Sequence, residues 1–292
     1  MATTTNQMIA ERLREVADLL QHQDANPFRV GAYRRAADTV GSLGRDVAEI
    51  LDREGLDGLT ALPGVGRSIA SAIEELVRSG RWSQLERLRG TLEPETVFQA
   101  IPGVGPALAR RIHETLEVET LEALEIAAHN GRLALVPGIG ARRAAMLRAS
   151  LASMLVRRPA RRHGEAAEPP VGHLLDVDQE YREKADADLL RKIAPRRFNP
   201  SGKAWLPILH ARRGNWDFTS LYTNTARAHE LGRVRDWVVI YFHTDNEPEG
   251  QCTVVTETRG DLEGKRVVRG REAECRAYYT AGHEQAKAAT AD

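Results

Sequence analysis

The sequence has few cysteines, few aromatic residues in its first half and no long apolar run. Cys252 and Cys275 are the only two cysteines among 292 residues, which excludes a disulfide scaffold and a cysteine-rich zinc site. No apolar run reaches the roughly 20 residues that a membrane-spanning helix needs. The segment from Met1 to Met8 is polar and lacks the apolar stretch of a secretory signal. These absences predict a soluble, cytoplasmic protein.

The chain has no excess of charge of either sign. Lys+Arg and Asp+Glu both total 41, which excludes a histone-like polycation but leaves room for a local basic face. No lysine precedes Lys184, so all 22 basic residues of segment 1–163 are arginines, against 20 acidic residues. Any cationic contact in this segment is therefore made by a guanidinium group, which suits bidentate phosphate recognition.

Composition divides the chain in two. Only four of the 15 aromatic residues lie in segment 1–163, where alanine, leucine and arginine dominate and favour helices. The remainder is richer in tryptophan, tyrosine, valine and threonine, which favour strands. A charged, proline-containing stretch without apolar periodicity lies between the two parts. The sequence thus predicts an all-α domain at 1–156, a linker at 157–171, an α+β domain with a mainly antiparallel sheet at 172–280 and a disordered tail at 281–292.

Strands and helices can be placed in the second part by their apolar patterns. The run Trp237–Phe242 is continuously apolar, as expected of a central strand buried on both faces. The predicted strands are Trp205–His210, Asp217–Tyr222, Trp237–His243, Gln251–Thr258 and Lys265–Arg269. The predicted helices are Gln179–Ala187, Asn224–Leu231 and Arg271–Tyr279.

The first part repeats one motif three times. Apolar-Pro-Gly-apolar-Gly occurs at Leu62–Gly66, Ile101–Gly105 and Val136–Gly140, and helical apolar periodicity precedes and follows each copy. Proline fixes the entry to such a turn, and glycines permit a positive φ and expose the backbone. Amide groups at the start of the following helix can then hold a phosphate oxygen. The alternative is that these turns merely connect packed helices, and three copies make it the weaker one.

The three segments resemble helix-hairpin-helix motifs. Upstream, Asn26–Ala37 resembles the N-terminal region of bacterial family X DNA polymerases, and the order of helix, first hairpin, second hairpin and third Gly-x-Gly element matches as well. The resemblance covers about residues 5–155. It implies a lyase-like helical domain followed by a fingers-like subdomain, in a bacterial protein.

The resemblance also implies which residues meet DNA. The predicted DNA-binding residues are the hairpin glycines, the arginines beside them and part of the upstream helix: Gly64, Gly66, Arg67, Gly103, Gly105, Arg110, Gly138, Gly140, Arg142, Arg143, Tyr33, Arg34 and Arg35. The alternative for Arg34 and Arg35 is a solvated face with local ion pairs, such as Arg34 with Asp38. Family members often hold K⁺ or Na⁺ at a hairpin through backbone carbonyls. The matching positions are Thr60, Leu62, Val65, Gln99, Ile101 and Val104.

Two parts of the family pattern are missing. The lysines that form a Schiff base in members with lyase activity fall on Ser68 and Ala72, so the nucleophile is absent. After residue 155 no polymerase palm is recognisable. Asp176 and Asp178 stand alone there, and their surroundings predict the end of a strand that leads into a helix.

These observations predict non-sequence-specific binding of DNA ends, nicks or gaps, in a nucleoid-associated protein of DNA repair or processing. A repair protein is a predicted partner of the C-terminal domain. The rival hypothesis is a nuclease or other DNA-processing hydrolase whose site combines Asp176, Asp178, His210 and Glu257. Basic, amide and aromatic residues are interleaved at Arg196–Pro200, Thr223–Thr225, Arg259 and Arg269–Glu272, a mixture that suits phosphate contacts and base stacking.

Overall fold

The protein has a helical N-terminal part followed by a six-stranded sheet, so the predicted fold class is confirmed. The computed structural model describes residues 4–91, 94–119, 121–155, 168–244 and 247–289. The helices of the first part are α1 Thr4–His22, α2 Pro27–Ser42, α3 Val47–Thr60, α4 Arg67–Ser79, α5 Ser83–Arg89, α6 Pro94–Phe98, α7 Pro106–Leu116, α8 Leu121–His129 and α9 Ala141–Leu155. A short 3₁₀ turn, Arg132–Leu135, precedes the third hairpin.

The second part is an antiparallel meander in which each strand pairs with the next along the chain. Its helices are α10 Val171–Asp186, α11 Ala226–Glu230 and α12 Glu272–Ala289. Its strands are β1 Arg191–Ile193, β2 Leu206–Arg213, β3 Trp216–Tyr222, β4 Val238–Thr244, β5 Glu247–Thr256 and β6 Arg266–Val268. Every residue of β3 and β4 is buried, as the apolar run Trp237–Phe242 predicted for the second of these strands.

Some elements differ from the sequence prediction. Asp176 and Asp178 lie inside α10, so the predicted strand end at this point is wrong. The buried positions of α10 include Leu174, Leu175 and Tyr181, whose spacing is that of one helix face. The three-residue edge strand β1 was not predicted. Helix α12 continues to Ala289, across most of the segment predicted as a disordered tail. Most of the predicted linker, 157–167, falls outside the described residues.

The two faces of the sheet have different chemistry. Successive residues of a strand point to opposite faces, so the pairing of His210 with Thr219 and of Thr219 with Tyr241 places these three side chains on one face. That face is polar and packs against helices of the first part. The opposite face carries Tyr222, whose ring packs against Tyr181 of α10 with centroids 4.8 Å apart. The sheet is thus covered by α10 on one side and by the N-terminal helices on the other.

The buried apolar residues form two cores that do not follow the predicted boundary at 156. One core runs through residues 9–88 and continues through residues 171–275. The other lies within residues 98–151, around the second and third hairpins. The physical reason is that a meander covered by helices on one face leaves its second face to be buried. Contacts to that face come from Arg29 of α2, Arg87 of α5 and Gln23, which follows α1.

A search of the described residues finds no helix with the length and apolar character needed to cross a membrane.

Candidate nucleic-acid interface

The three hairpin turns share one geometry. In each, the amide of the buried apolar residue between the glycines donates to the carbonyl three residues earlier. The bond joins Val65 to Leu62 (3.1 Å), Val104 to Ile101 (3.0 Å) and Ile139 to Val136 (3.0 Å). The first glycines, Gly64, Gly103 and Gly138, have φ of 75°, 83° and 86°. Proline followed by glycine at positive φ within such a bond is the pattern of a type II turn.

The second glycines play a different part from the one the sequence suggested. Gly66 and Gly105 cap α4 and α7 with extended backbone, at φ −75° and −86°, so they do not need the left-handed region. A Cβ added at Gly105 or Gly140 would face open space, whereas one added at Gly64 or Gly138 would lie within 3.3 Å of an arginine side chain. Neither α4 nor α7 has a side chain that caps its first amides. Those amides are therefore available to an external oxygen acceptor.

At hairpin one, helix α2 packs directly against the turn. A Cβ on Gly64 would lie 3.3 Å from Cβ of Arg35, and Thr39 Oγ1 donates to the Pro63 carbonyl at 2.8 Å. Arg35 is exposed beside the turn, and Arg67 is half-buried as the first residue of α4. Two of the predicted arginines thus flank the first hairpin from different helices.

Hairpins two and three brace each other. Arg143, on the helix after hairpin three, donates from Nη2 to the Gly103 carbonyl of hairpin two at 3.3 Å. Conversely, a Cβ on Gly138 of hairpin three would lie 3.1 Å from Nη1 of Arg111, on the helix after hairpin two. Met146 lies against Gly103 as well, with Cε 3.6 Å from a Cβ placed there. The two turns therefore lie side by side.

The arginines at the hairpins have no carboxylate partner within the part of the chain that the structure describes. This applies to Arg35, Arg67, Arg110, Arg111, Arg142 and Arg143. All of them except Arg67 are exposed. Six cationic groups near uncapped helix starts make a surface suited to phosphate.

Two residues of α2 that were predicted to contact DNA, Tyr33 and Arg34, have partners within the protein. Tyr33 is 3% exposed, donates to Gln84 Oε1 at 2.9 Å and packs against Trp82, so its predicted DNA contact is replaced by a core role. Arg34 is exposed but pairs with Asp18 at 3.2 Å rather than with Asp38. Sequence reasoning placed Tyr33 with the arginines because it could not see that α5 covers this face of α2.

The sheet also covers part of α2. Arg29 is 8% exposed and donates from Nη1 to Thr219 Oγ1 of β3 at 3.4 Å, while its Nε and Nη2 have no hydrogen-bond partner among the residues that the structure describes. Phe28, the next residue on the helix, is by contrast 81% exposed. No local pattern in the sequence indicates that Phe28 faces solvent while Arg29 faces the sheet.

The positions of the missing lysines hold no replacement for them. Ser68 is half-buried in the first turn of α4, and Ala72 is buried one turn later.

The predicted cation positions are backbone carbonyls of the first two hairpins. Leu62 and Ile101 each accept one turn hydrogen bond through that carbonyl, and a carbonyl has a second lone pair for a K⁺ or Na⁺ ion.

The residues of the rival hydrolase site are not brought together. Asp178 is buried in α10 and receives both Arg266 Nη2 at 2.7 Å and Nε at 2.9 Å. His210 lies on the opposite face of the sheet, 3.0 Å from Gln23 Oε1. Glu257 pairs with Arg269 at 3.1 Å. No group of three residues suited to hold a metal occurs in the described part of the chain.

A buried ionic cluster joins the second hairpin unit to the sheet domain. His113 of α7 lies 3.0 Å from Glu95 of α6, and Arg197 reaches the same carboxylate oxygen at 2.7 Å. Burial lowers the pKa of His113, but the flanking Glu119 and Glu95 outweigh it and raise the pKa overall. Burial raises the pKa of Glu95, yet His113 and Arg197 bring it down to about 2. The tyrosine Tyr241 of β4 donates to Glu119.

Comparison with known proteins agrees with this geometry. A helix-hairpin-helix domain family matches residues 4–82, and a SAM-like helix-hairpin-helix tandem family matches residues 95–153. The helical part of the chain is thus similar to helix-hairpin-helix domains over most of its length. The tandem match falls on the two hairpins that brace each other, and the separate match falls on hairpin one.

Two curated relatives resemble this region. The chain is 27% identical to the DNA polymerase/3'-5' exonuclease PolX of Bacillus subtilis (strain 168) over 133 residues. This matched segment makes up 45% of this chain and 22% of the relative. The chain is 36% identical to DNA polymerase lambda of Arabidopsis thaliana over 63 residues, a segment that makes up 21% of this chain and 12% of the relative. The chain thus spans less than a quarter of the length of either relative, and the similarity is confined to the helix-hairpin-helix region.

Proposed function

We propose that the protein binds duplex DNA without sequence preference, by holding backbone phosphates at its three hairpins, and that it does so at ends, nicks or gaps in DNA repair or processing. The observation that carries this proposal is the set of arginines that lie beside the hairpins and have no carboxylate partner among the described residues, together with the uncapped starts of α4 and α7. The helix-hairpin-helix families and the polymerase relatives support DNA binding and a DNA-processing context.

The chemistry of the surface favours backbone contacts over base readout. Amides at a helix start and guanidinium groups recognise phosphate oxygens, which are the same for every sequence. Hairpin one belongs to the first core and hairpins two and three to the second. Two separately packed units that each hold phosphate suit a duplex with an interruption, because each unit can grip one side of it.

The test is a titration of the full chain with two unrelated blunt duplexes and with nicked, gapped and 5′-phosphorylated duplexes. We expect equal affinity for the two sequences and tighter binding to the interrupted duplexes. The double variant Arg110→Ala/Arg142→Ala should weaken binding to all of them. Both positions are exposed and helical, where alanine is well tolerated, so the fold should be retained.

Arg276→Ala is the matched control. Arg276 is 56% exposed on α12, and its only close carboxylate in the described residues is Asp261 at 3.6 Å. This variant should bind DNA as the wild type does. Equal loss of affinity in the control and the double variant, or a strong preference for one of the two duplex sequences, would contradict the proposal.

Repeating the titration with Mg²⁺ tests the hydrolase alternative, since a nuclease would turn the DNA over. Replacing K⁺ by a bulky organic cation at equal ionic strength tests the predicted ion at the hairpins, which should contribute to affinity. The repair-protein partner predicted for the C-terminal domain stays a prediction.

A further inference from the structure

We propose that the exposed rings of Phe198 and His229 form a stacking platform for an unpaired DNA base, beside the second hairpin unit. This inference deepens the proposed function and rests on it, since it assigns the sheet domain a contact with the single-stranded part of an interrupted duplex. Two of the four segments singled out in the sequence, Arg196–Pro200 and Thr223–Thr225, meet at this platform, where Asn224 Nδ2 donates to the Arg197 carbonyl at 3.0 Å.

The platform consists of three neighbouring rings. The centroids of Phe198 and His229 are 4.6 Å apart, and the Trp205 ring stands edge-on to His229 with centroids 6.4 Å apart. Phe198 is 46% exposed and His229 is exposed too. Asn224 Oδ1 accepts from His229 Nε2 at 2.7 Å, which fixes the ring. Aromatic side chains held in this way offer π-faces to a nucleobase.

The backbone of Phe198 has an unfavourable conformation. Its φ is 51°, in the left-handed region that bulky side chains rarely adopt. Strain of this kind persists only where the surrounding structure over-determines it, and it concentrates at functional positions. The Phe198 ring is 46% exposed, and its observed neighbours are the His229 ring and the Arg197 guanidinium.

The loop that carries Phe198 is anchored to the helix-hairpin-helix region. The Arg196 amide donates to the Gly90 carbonyl at 2.8 Å, and the Arg197 side chain reaches Glu95 at 2.7 Å. A Cβ on Gly90 would lie 2.6 Å from the Ala194 carbonyl oxygen, so the loop approaches α5 as closely as only glycine allows. The platform therefore has a fixed position next to the unit that carries hairpins two and three.

The charge around the rings matches a nucleic-acid strand. The Arg197 guanidinium carbon lies 5.2 Å from the centroid of the Phe198 ring, and Arg196 and Lys203 are exposed on the same loop. Guanidinium and aromatic groups together bind single strands with little sequence preference, because every base has a π-face and every nucleotide a phosphate.

The test uses the full chain and duplexes with a single-stranded extension of about six nucleotides, within the site sizes known for single-strand binding. One set carries 2-aminopurine in the extension, since its fluorescence falls when it stacks on a ring. The variant is Phe198→Asn, which removes the ring while asparagine tolerates a positive φ. Tyr278→Ala, which removes an equally exposed ring (46%) from α12, is the control, and Phe198→Trp is the conservative replacement.

We expect wild type, Phe198→Trp and Tyr278→Ala to quench 2-aminopurine, and Phe198→Asn to bind extended duplexes about tenfold more weakly with no quenching. Binding to the blunt duplex should be the same for all four proteins. If Phe198→Asn binds and quenches as the wild type does, or if an extension gives the wild type no gain over the blunt duplex, the platform is refuted while duplex binding stands. If the wild type binds extended strands but no blunt duplex, the proposed function fails and the platform stands.

Discussion

Among single residues, buried Arg87 is the clearest example of a charge that holds the molecule together. Its side chain is 3% exposed, and Nη2 donates to both oxygens of Glu249 at 2.6 Å. Its guanidinium carbon lies 3.4 Å above the ring of Tyr241. It thereby links α5 to β4 and β5, whereas the arginines at the hairpins have no carboxylate partner among the described residues.

Arg87→Met should therefore destabilise the fold strongly. The change leaves the Glu249 carboxylate in a half-buried place without its cation, and loss of one partner of a buried pair costs about 3–5 kcal/mol. Urea unfolding gives the free energy. Arg12→Ala removes an exposed pair with Glu15 and should cost less than about 1 kcal/mol. Similar losses of unfolding free energy in Arg87→Met and Arg12→Ala would show that burial of an ion pair does not determine how much it stabilises the fold.

The two glycines of a hairpin should respond differently to substitution. Gly103, at φ 83°, should lose about 1–3 kcal/mol of stability when it is changed to valine, because a β-branched residue is strained there. Gly105→Val should leave stability nearly unchanged, since its φ is −86° and its Cβ would face open space, yet it should weaken DNA binding by blocking close approach. Thermal unfolding and DNA titration of both variants measure the two effects separately. Wild-type DNA binding by folded Gly105→Val would make hairpin two a purely structural turn.

Among secondary-structure elements, the most consequential contact joins α6 and α7 to the sheet through His113. The imidazole lies between Glu95 and Glu119, and Arg197 from the loop before β2 approaches it to 3.1 Å. The acidic groups dominate, so the pKa of His113 is raised in the folded protein. The protonated ring thus contributes to the docking of the second hairpin unit.

The stability that His113 contributes should depend on pH. Because its folded-state pKa lies above the unfolded value of about 6.5, the contribution is complete below that pH and is lost as the pH rises through the folded-state pKa. The difference in unfolding free energy between wild type and His113→Gln should therefore be largest in mild acid and decline in mild alkali. His210 and His243, whose pKa values are lowered by burial and by Arg29, act in the opposite direction but cancel in this difference. A difference that grows with pH would contradict the assignment.

Elements with a repeated or periodic pattern could be predicted from the sequence. The hairpins were found because three copies of one motif share a turn geometry, and β4 because its apolar run is unbroken. Helix α10 was misread at its start, although Val171, Leu174, Leu175 and Asp178 follow helical spacing, because the aspartates suggested a strand end. Tyr33 was misplaced because its burial depends on Gln84 and Trp82, about 50 residues away in sequence. Such contacts leave no local signal.

The described part of the molecule is built from two cores, one of which crosses the boundary between its helical and sheet parts. Helices α1 to α5 share their core with the sheet, while α6 to α9 enclose their own. The polar face of the sheet, with His210 and Thr219, is buried by α1 and α2. The sheet is therefore part of the structural support of hairpin one.

Truncation should expose this dependence. A fragment of residues 1–156 should lack the sheet that packs against its first five helices. It should melt in two steps, with the unit around hairpins two and three melting at a higher temperature than the first five helices. Circular dichroism of the fragment and the full chain measures the transitions. A fragment that melts in one step at the temperature of the full chain would show that the first five helices do not need the sheet.

The salt dependence of DNA affinity tests the central claim, phosphate binding by the hairpin arginines, most directly. The logarithm of the binding constant should fall linearly with the logarithm of salt concentration, and each phosphate contact contributes a slope of about 0.9. Arg110→Ala/Arg142→Ala should bind a blunt duplex more weakly and with a slope smaller by about 1.8, while Arg276→Ala keeps the wild-type slope. An unchanged slope in the double variant would mean that these arginines do not contact phosphate.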